Sequence, residues 1–141
     1  MTTAGPVFLD TNIVVYAFST DPRAAQAEQF LADGGVISVQ VLNEFSNIAR
    51  CKLGFSWLEL RDALQAIELL AREIIAIDLD VHRSAIGFAE RLSLSTYDAL
   101  IVSAAHHAGC TTLWSEDMQD GLVVNDRLTI RNPFRATSEK L

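Results

Sequence analysis

The sequence predicts an α/β domain, a Rossmann-like α/β/α sandwich around a short, mainly parallel sheet of four to five strands. Three observations carry that expectation. Short apolar runs alternate along the chain with stretches of helical periodicity, the pattern of parallel strands joined by crossover helices. The runs are apolar throughout and not alternating, which suits strands covered on both faces. The chain has 141 residues, half of them hydrophobic, enough for one domain that buries roughly 70% of its unfolded surface without a metal or disulfide.

Each element has a local reason. Val7–Leu9 reads as the first strand and ends in an acid, Asp10. Pro22 opens a helical stretch to about Ala32, stopped by Gly34 and Gly35. Val36–Ser38 is the second strand. Residues 39–51 are helical, with Val41, Leu42, Phe45, Ile48 and Ala49 at helical spacing. Gly54 breaks the chain, and Ser56 caps a long amphipathic helix with Glu59 in capping-box position. Ile74–Ile77 is the third strand and residues 79–92 the next helix. "LSLSTYDALIVSAAHHAG" gives a turn, a helix from about Thr96 and a stop at Gly109. Thr111–Trp114 is the fourth strand, and a weak fifth lies near Leu128–Ile130. The expected organisation is one domain over residues 1–134 with a loose tail at 135–141.

Composition narrows the function classes. No apolar run approaches a membrane span, and the first residues lack the basic start and apolar core of a secretory signal. Cys51 and Cys110 have no short spacing, so both are expected to be buried free thiols in a reducing, cytoplasmic setting. The formal net charge is −7. A protein that grips nucleic acid by charge alone is basic, so either nucleic acid is not the ligand or cations bring it in.

In open parallel sheets, ligands bind beyond the carboxyl ends of the strands. Asp10 ends the first strand and Asp117 follows the fourth. Glu44 lies about one turn into the helix after the second strand, and Asp98 lies in the first turn of the helix from Thr96. These acids can converge at one sheet edge. Two unit charges at 4 Å repel by about 4 kcal/mol at an effective dielectric of 20. A hard divalent cation such as Mg²⁺ or Mn²⁺ removes that cost, and also holds and polarises a phosphodiester. Each acid also has a plainer reading. Asp10 and Asp98 suit helix caps or first-turn positions, Glu44 a solvated helix face, and Glu116, Asp117 and Asp120 a wet turn closed by Gly121. His106 and His107 sit at a helix end, where a cation complements the dipole. Trp57, Trp114 and Phe88 suit core or dimer contacts better than base stacking. Arg50 and Lys52 suit a solvated helix end.

Taken in order, "FLDTNIVVYAF", "SVQVLNEFSNIA" and "LSLSTYDALIVSAAHHAGCTTLWSED" resemble the successive acidic motifs of the PIN-domain family, and within it the VapC-type toxins of prokaryotic toxin–antitoxin modules. The resemblance runs from about Val7 to Phe134. It implies a metal-dependent endoribonuclease with Mg²⁺ or Mn²⁺ held by Asp10, Glu44, Asp98 and Asp117. It implies support from Asn12 and Ser115, and leaves Asp120 as the second choice to Asp117 for the last ligand. It also implies a homodimer, an RNA substrate and a cognate VapB-like antitoxin. The rival readings are a non-catalytic PIN-fold module that binds RNA or a partner, and a phosphotransferase with Asp10 as nucleophile. The second lacks the acid two residues on, where this chain has Asn12. Nucleases of related fold that act on structured DNA carry insertions this length does not hold.

Overall fold

Phe8, Leu9, Ile37 and Leu113 have no exposed surface. Strands this short reach such burial only when helices cover both faces of the sheet. The computed structural model describes residues 5–135. Its strands are β1 (Val7–Leu9), β2 (Val36–Ser38), β3 (Glu73–Ile75), β4 (Thr112–Trp114), β5 (Val123–Val124) and β6 (Leu128–Arg131). They form one six-stranded sheet in the order β3-β2-β1-β4-β6-β5. All pairings are parallel except β5 with β6.

The helices are α1 (Thr11–Ala17), α2 (Ala24–Ala32), α3 (Val39–Cys51), α4 (Trp57–Leu70), α5 (Leu79–Leu92) and α6 (Thr96–His107). Parallel units cross over right-handedly as a rule, which assigns α1–α4 to one face and α5–α6 to the other, because the path from β3 to β4 runs back across the sheet. The packing agrees: α1 lies on α2 and α3, α3 on α4, and α5 on α6. Ala99–Ala105 of α6 are all buried, so this stretch of the helix is covered around its whole circumference. Caps set the starts. Ser38 Oγ accepts from Val41 N at 3.3 Å, Asp78 Oδ1 from Val81 N at 2.9 Å, and Ser56 forms a reciprocal capping box with Glu59. Gly35 packs so tightly that a Cβ there would stand 2.5 Å from a Leu9 methyl, which brings β2 close against β1.

Several expectations need correction. The sheet has six strands, not four or five. The added strand β5 is a two-residue piece whose hairpin to β6 turns through Asn125 and Asp126, both at positive φ. Asn and Asp tolerate that region, and the pair was a readable turn signal. The third strand is Glu73–Ile75, since Ile77 already belongs to the approach to the Asp78 cap. Residues 11–17 form α1 directly after β1, the helix that an Asp10 cap implies. Cys110 is buried as expected, but Cys51 is exposed at the end of α3. Trp57 is 60% exposed, so it is not a core residue, whereas Phe88 is buried and Trp114 stacks on Phe30. The expected tail at 135–141 lies, beyond Arg135, outside the described residues. Among the described residues no helix is long and apolar enough to cross a membrane.

Candidate active site

The strand order reverses between β1 and β4, with Leu9 opposite Trp114. Such a switch point opens a crevice at the carboxyl edge of a parallel sheet. Asp10 and Ser115 therefore leave the sheet side by side, and Asp10 N donates to Trp114 O at 3.0 Å. Asp10 is 5% exposed. Its Oδ1 accepts from Thr11 N at 2.7 Å, and its Oδ2 accepts from Ser115 Oγ at 2.8 Å. Burial pushes its carboxyl up to about 6; the bonds from Ser115 and Thr11 oppose the rise, and the charges of Asp98 and Glu44 add to it.

Thr11 extends the site to α3: its Oγ1 donates to Glu44 Oε1 at 2.6 Å, while Gln40 Nε2 donates to Glu44 Oε2 at 2.8 Å. Next along α1, Asn12 donates its side-chain amide to Asp117 in the turn after β4. Asp98, in the first turn of α6, is half-buried, and its carboxyl is raised by burial and then by the charges of Glu44 and Asp117. Its backbone N–H donates to Ser95 Oγ at 3.1 Å. The capping readings of Asp10 and Asp98 are thus true of the local structure, and both residues also sense the other acids.

Asp120 stands elsewhere. Its Oδ1 accepts from Asn132 N at 2.9 Å, its Oδ2 lies 3.6 Å from Arg135 Nη1, and it lines a cleft of about 430 Å³ with Gln26, Phe30 and Trp114. Glu116 points to a third place. Tyr16 Oη and Arg23 Nη1 donate to its two oxygens, the second at 2.6 Å. Burial and then Glu116 raise the Tyr16 phenol to about 12, so it remains a proton donor. Thr11, Gln40, Tyr16 and Arg23 were not picked out from the sequence. The signals available were the i, i+4 spacing of Gln40 with Glu44 and of Asn12 with Tyr16. His107 bonds the Ser103 carbonyl at 3.0 Å and His106 packs on Phe88, away from these acids.

The donor set fits a hard divalent cation in kind, since carboxylate, hydroxyl and amide oxygens are the ligands such ions favour. Among the described residues none of Asp10, Glu44, Asp98 and Asp117 has a cationic partner; the ion pairs go to Asp21, Glu116 and Asp120. As placed, no three candidate ligands among the described residues stand close enough to share one ion. Asp10, Glu44 and Asp117 are turned instead to donors on Thr11, Ser115, Gln40 and Asn12.

The fold and this edge together define a class: an α/β/α domain with carboxylates gathered at the switch point of a parallel sheet. Residues 7–120 match the model of the PIN domain, and the chain belongs to the PIN-domain family. Among solved structures it is similar to the sarcin–ricin-loop-cleaving toxin VapC20 of Mycobacterium tuberculosis, at 19% identity and TM-score 0.61 over 79% of this chain and 91% of that one. It is similar to a toxin–antitoxin complex from Klebsiella pneumoniae, at 20% identity and TM-score 0.70 over 91% and 97%. VapBC2 of Rickettsia felis, solved with a promoter DNA fragment, matches at 21% identity and TM-score 0.66 over 89% and 97%. No curated protein matches the chain significantly.

Proposed function

We propose that this chain is a metal-dependent endoribonuclease, the toxin of a VapBC-type module, with Asp10, Glu44, Asp98 and Asp117 as ligands for Mg²⁺ or Mn²⁺. The observation that carries the reading is the set of four acids, without cationic partners among the described residues, that the sheet edge brings within electrostatic reach. When bound, a divalent cation supplies positive charge for a phosphodiester and lowers the pKa of water. The chain's own residues do the holding. Ser115 and Thr11 fix the orientation of Asp10, Thr11 and Gln40 fix Glu44, and Asn12 fixes Asp117. With a net charge of −7, the protein has no general attraction for RNA. The local charge of this edge must therefore be reversed before a phosphate can enter.

The solved relatives that are toxin–antitoxin complexes support a VapB-like antitoxin as the partner of this chain. Homodimerisation and a cytoplasmic location complete the reading. The test is cleavage of labelled single-stranded or looped RNA by purified protein. Cleavage is expected with Mg²⁺ or Mn²⁺ and is expected to stop with chelator. Asp117→Asn should reduce the rate by about 100-fold or more, while Asp120→Asn should leave it within about threefold, since only the first removes a charge that can hold the cation. A rate indifferent to chelator would refute the metal mechanism. Metal-independent RNA binding without cleavage would favour the non-catalytic module.

A further inference from the structure

The segment from Ser115 to Gln119 belongs to no strand or helix, yet it carries the acid proposed as the last ligand. Its start is tethered and its backbone closes on itself: Ser115 N donates to Arg131 O at 2.9 Å, and Met118 N donates to Ser115 Oγ at 3.2 Å. Between them, consecutive side chains are gripped by one face of α1. Asn12 takes Asp117, and Tyr16, one turn later, takes Glu116. The other Glu116 oxygen is taken by Arg23. Arg23 is itself fixed on three sides. Its Nε and Nη2 bond Asp21 Oδ1 and Oδ2 at 2.9 Å each, which leaves Nη1 for Glu116, and its guanidinium lies 4.2 Å from the centre of the Tyr16 ring. An isolated exposed ion pair holds little, but a bidentate arginine in a network keeps its geometry.

We propose that Glu116 is a positioning residue, and that the Tyr16–Glu116–Arg23–Asp21 clamp fixes the rotation of the turn so that Asp117 is presented to the cation beside Asp98. This rests on the metal-site reading given above. The chemistry is that of a support shell. Glu116 shares the turn with Asp117, so the backbone that orients one side chain orients the other. With both Glu116 oxygens engaged on the Tyr16 and Arg23 side, Glu116 is kept from competing for the ion. Arg23, bound to two carboxylates, is likewise kept from pairing with Asp117 and cancelling its charge.

The experiment is Mn²⁺ titration calorimetry on the metal-free full chain, without RNA, together with metal-free melting curves. Tyr16→Phe and Arg23→Met should each weaken Mn²⁺ binding about tenfold, the usual effect of losing a support to a metal ligand. Arg23→Lys should recover part of the loss, and Asp117→Asn should show the largest loss. Ser103→Ala removes a buried hydroxyl that bonds Val81 O at 2.8 Å. It lowers the melting temperature and should leave Mn²⁺ affinity unchanged, which separates positioning from general stability. If Tyr16→Phe and Arg23→Met bind Mn²⁺ like the wild type while Asp117→Asn does not, the clamp has no positioning role and the metal site stands. If Glu116→Gln loses as much affinity as Asp117→Asn, Glu116 is a ligand and the proposal is overturned. Unchanged affinity in Asp117→Asn removes the site and the clamp with it.

Discussion

Asp10 shows how one residue serves two structural demands. It begins α1 by accepting from Thr11 N, and it holds a charge in a site with almost no solvent. In the metal-free protein that charge is costly. The carboxyl titrates at about 6 in the folded chain against an ordinary value of 3.8. Below about pH 4 both states hold the proton and there is no penalty. As pH rises toward 6 the unfolded chain releases its proton first, so stability falls, by about 3 kcal/mol when complete. The expected outcome is that metal-free wild type loses stability between roughly pH 4 and 6 relative to Asp10→Asn. At neutral pH the variant should melt at the same temperature or higher, by roughly 3 °C for each kcal/mol relieved. Added Mg²⁺ should then raise the melting temperature of the wild type and not of the variant. Comparing the two proteins removes the opposite trend of Asp21 and Glu59, whose carboxyls are held low by bonds to Arg23 and Ser56. Parallel pH curves for the two chains would show that Asp10 carries no such burden.

At the scale of elements, α1 organises the site. In seven residues it supplies Thr11 to Glu44, Asn12 to Asp117 and Tyr16 to Glu116. Helix α4 is a contrast, because its start is set by a capping box that touches none of the candidate acids. Ser56→Ala should cost about 1 kcal/mol of stability, read by denaturant midpoint, while RNA cleavage at a temperature well below melting stays at the wild-type rate. A drop in cleavage without a change in structure would mean that α4 communicates with the site.

For the whole molecule, α4 carries four of the exposed large apolar side chains among the described residues. Trp57, Leu58, Leu69 and Leu70 are exposed, with Leu69 at 79%. Arg50 stacks 4.0 Å from the Trp57 ring centre and donates to Phe55 O at 2.7 Å, so the indole is held in place at the surface. An ordered aromatic at one end of a helix that also exposes leucines suits an interface. The chain is expected to be dimeric at micromolar concentration by light scattering, and Trp57→Glu or Leu69→Glu should shift it toward the monomer mass. A monomer mass for the wild type would contradict the dimer.

Much of this was legible in the sequence because it is local. Helical spacing in residues 39–51, the Ser56–Glu59 box and the glycine stops depend on neighbours a few positions away, and the helices and most strands form where those signals put them. The order of the acidic motifs also sufficed for the family. What the sequence could not decide is what depends on partners far along the chain. Asp117 and Asp120 are chemically alike and three residues apart, but only the packing of α1 against the turn gives Asp117 to Asn12, while the β6 edge takes Asp120. Glu116 looked like part of a wet turn until the fold brought Tyr16 and Arg23 to it from 100 and 93 residues away. Cys51 was expected to be buried and Trp57 to make a core or dimer contact, yet both are exposed, Cys51 at the end of α3 and Trp57 at the start of α4. Burial and charge pairing are set by which elements meet, and that is decided by the tertiary structure.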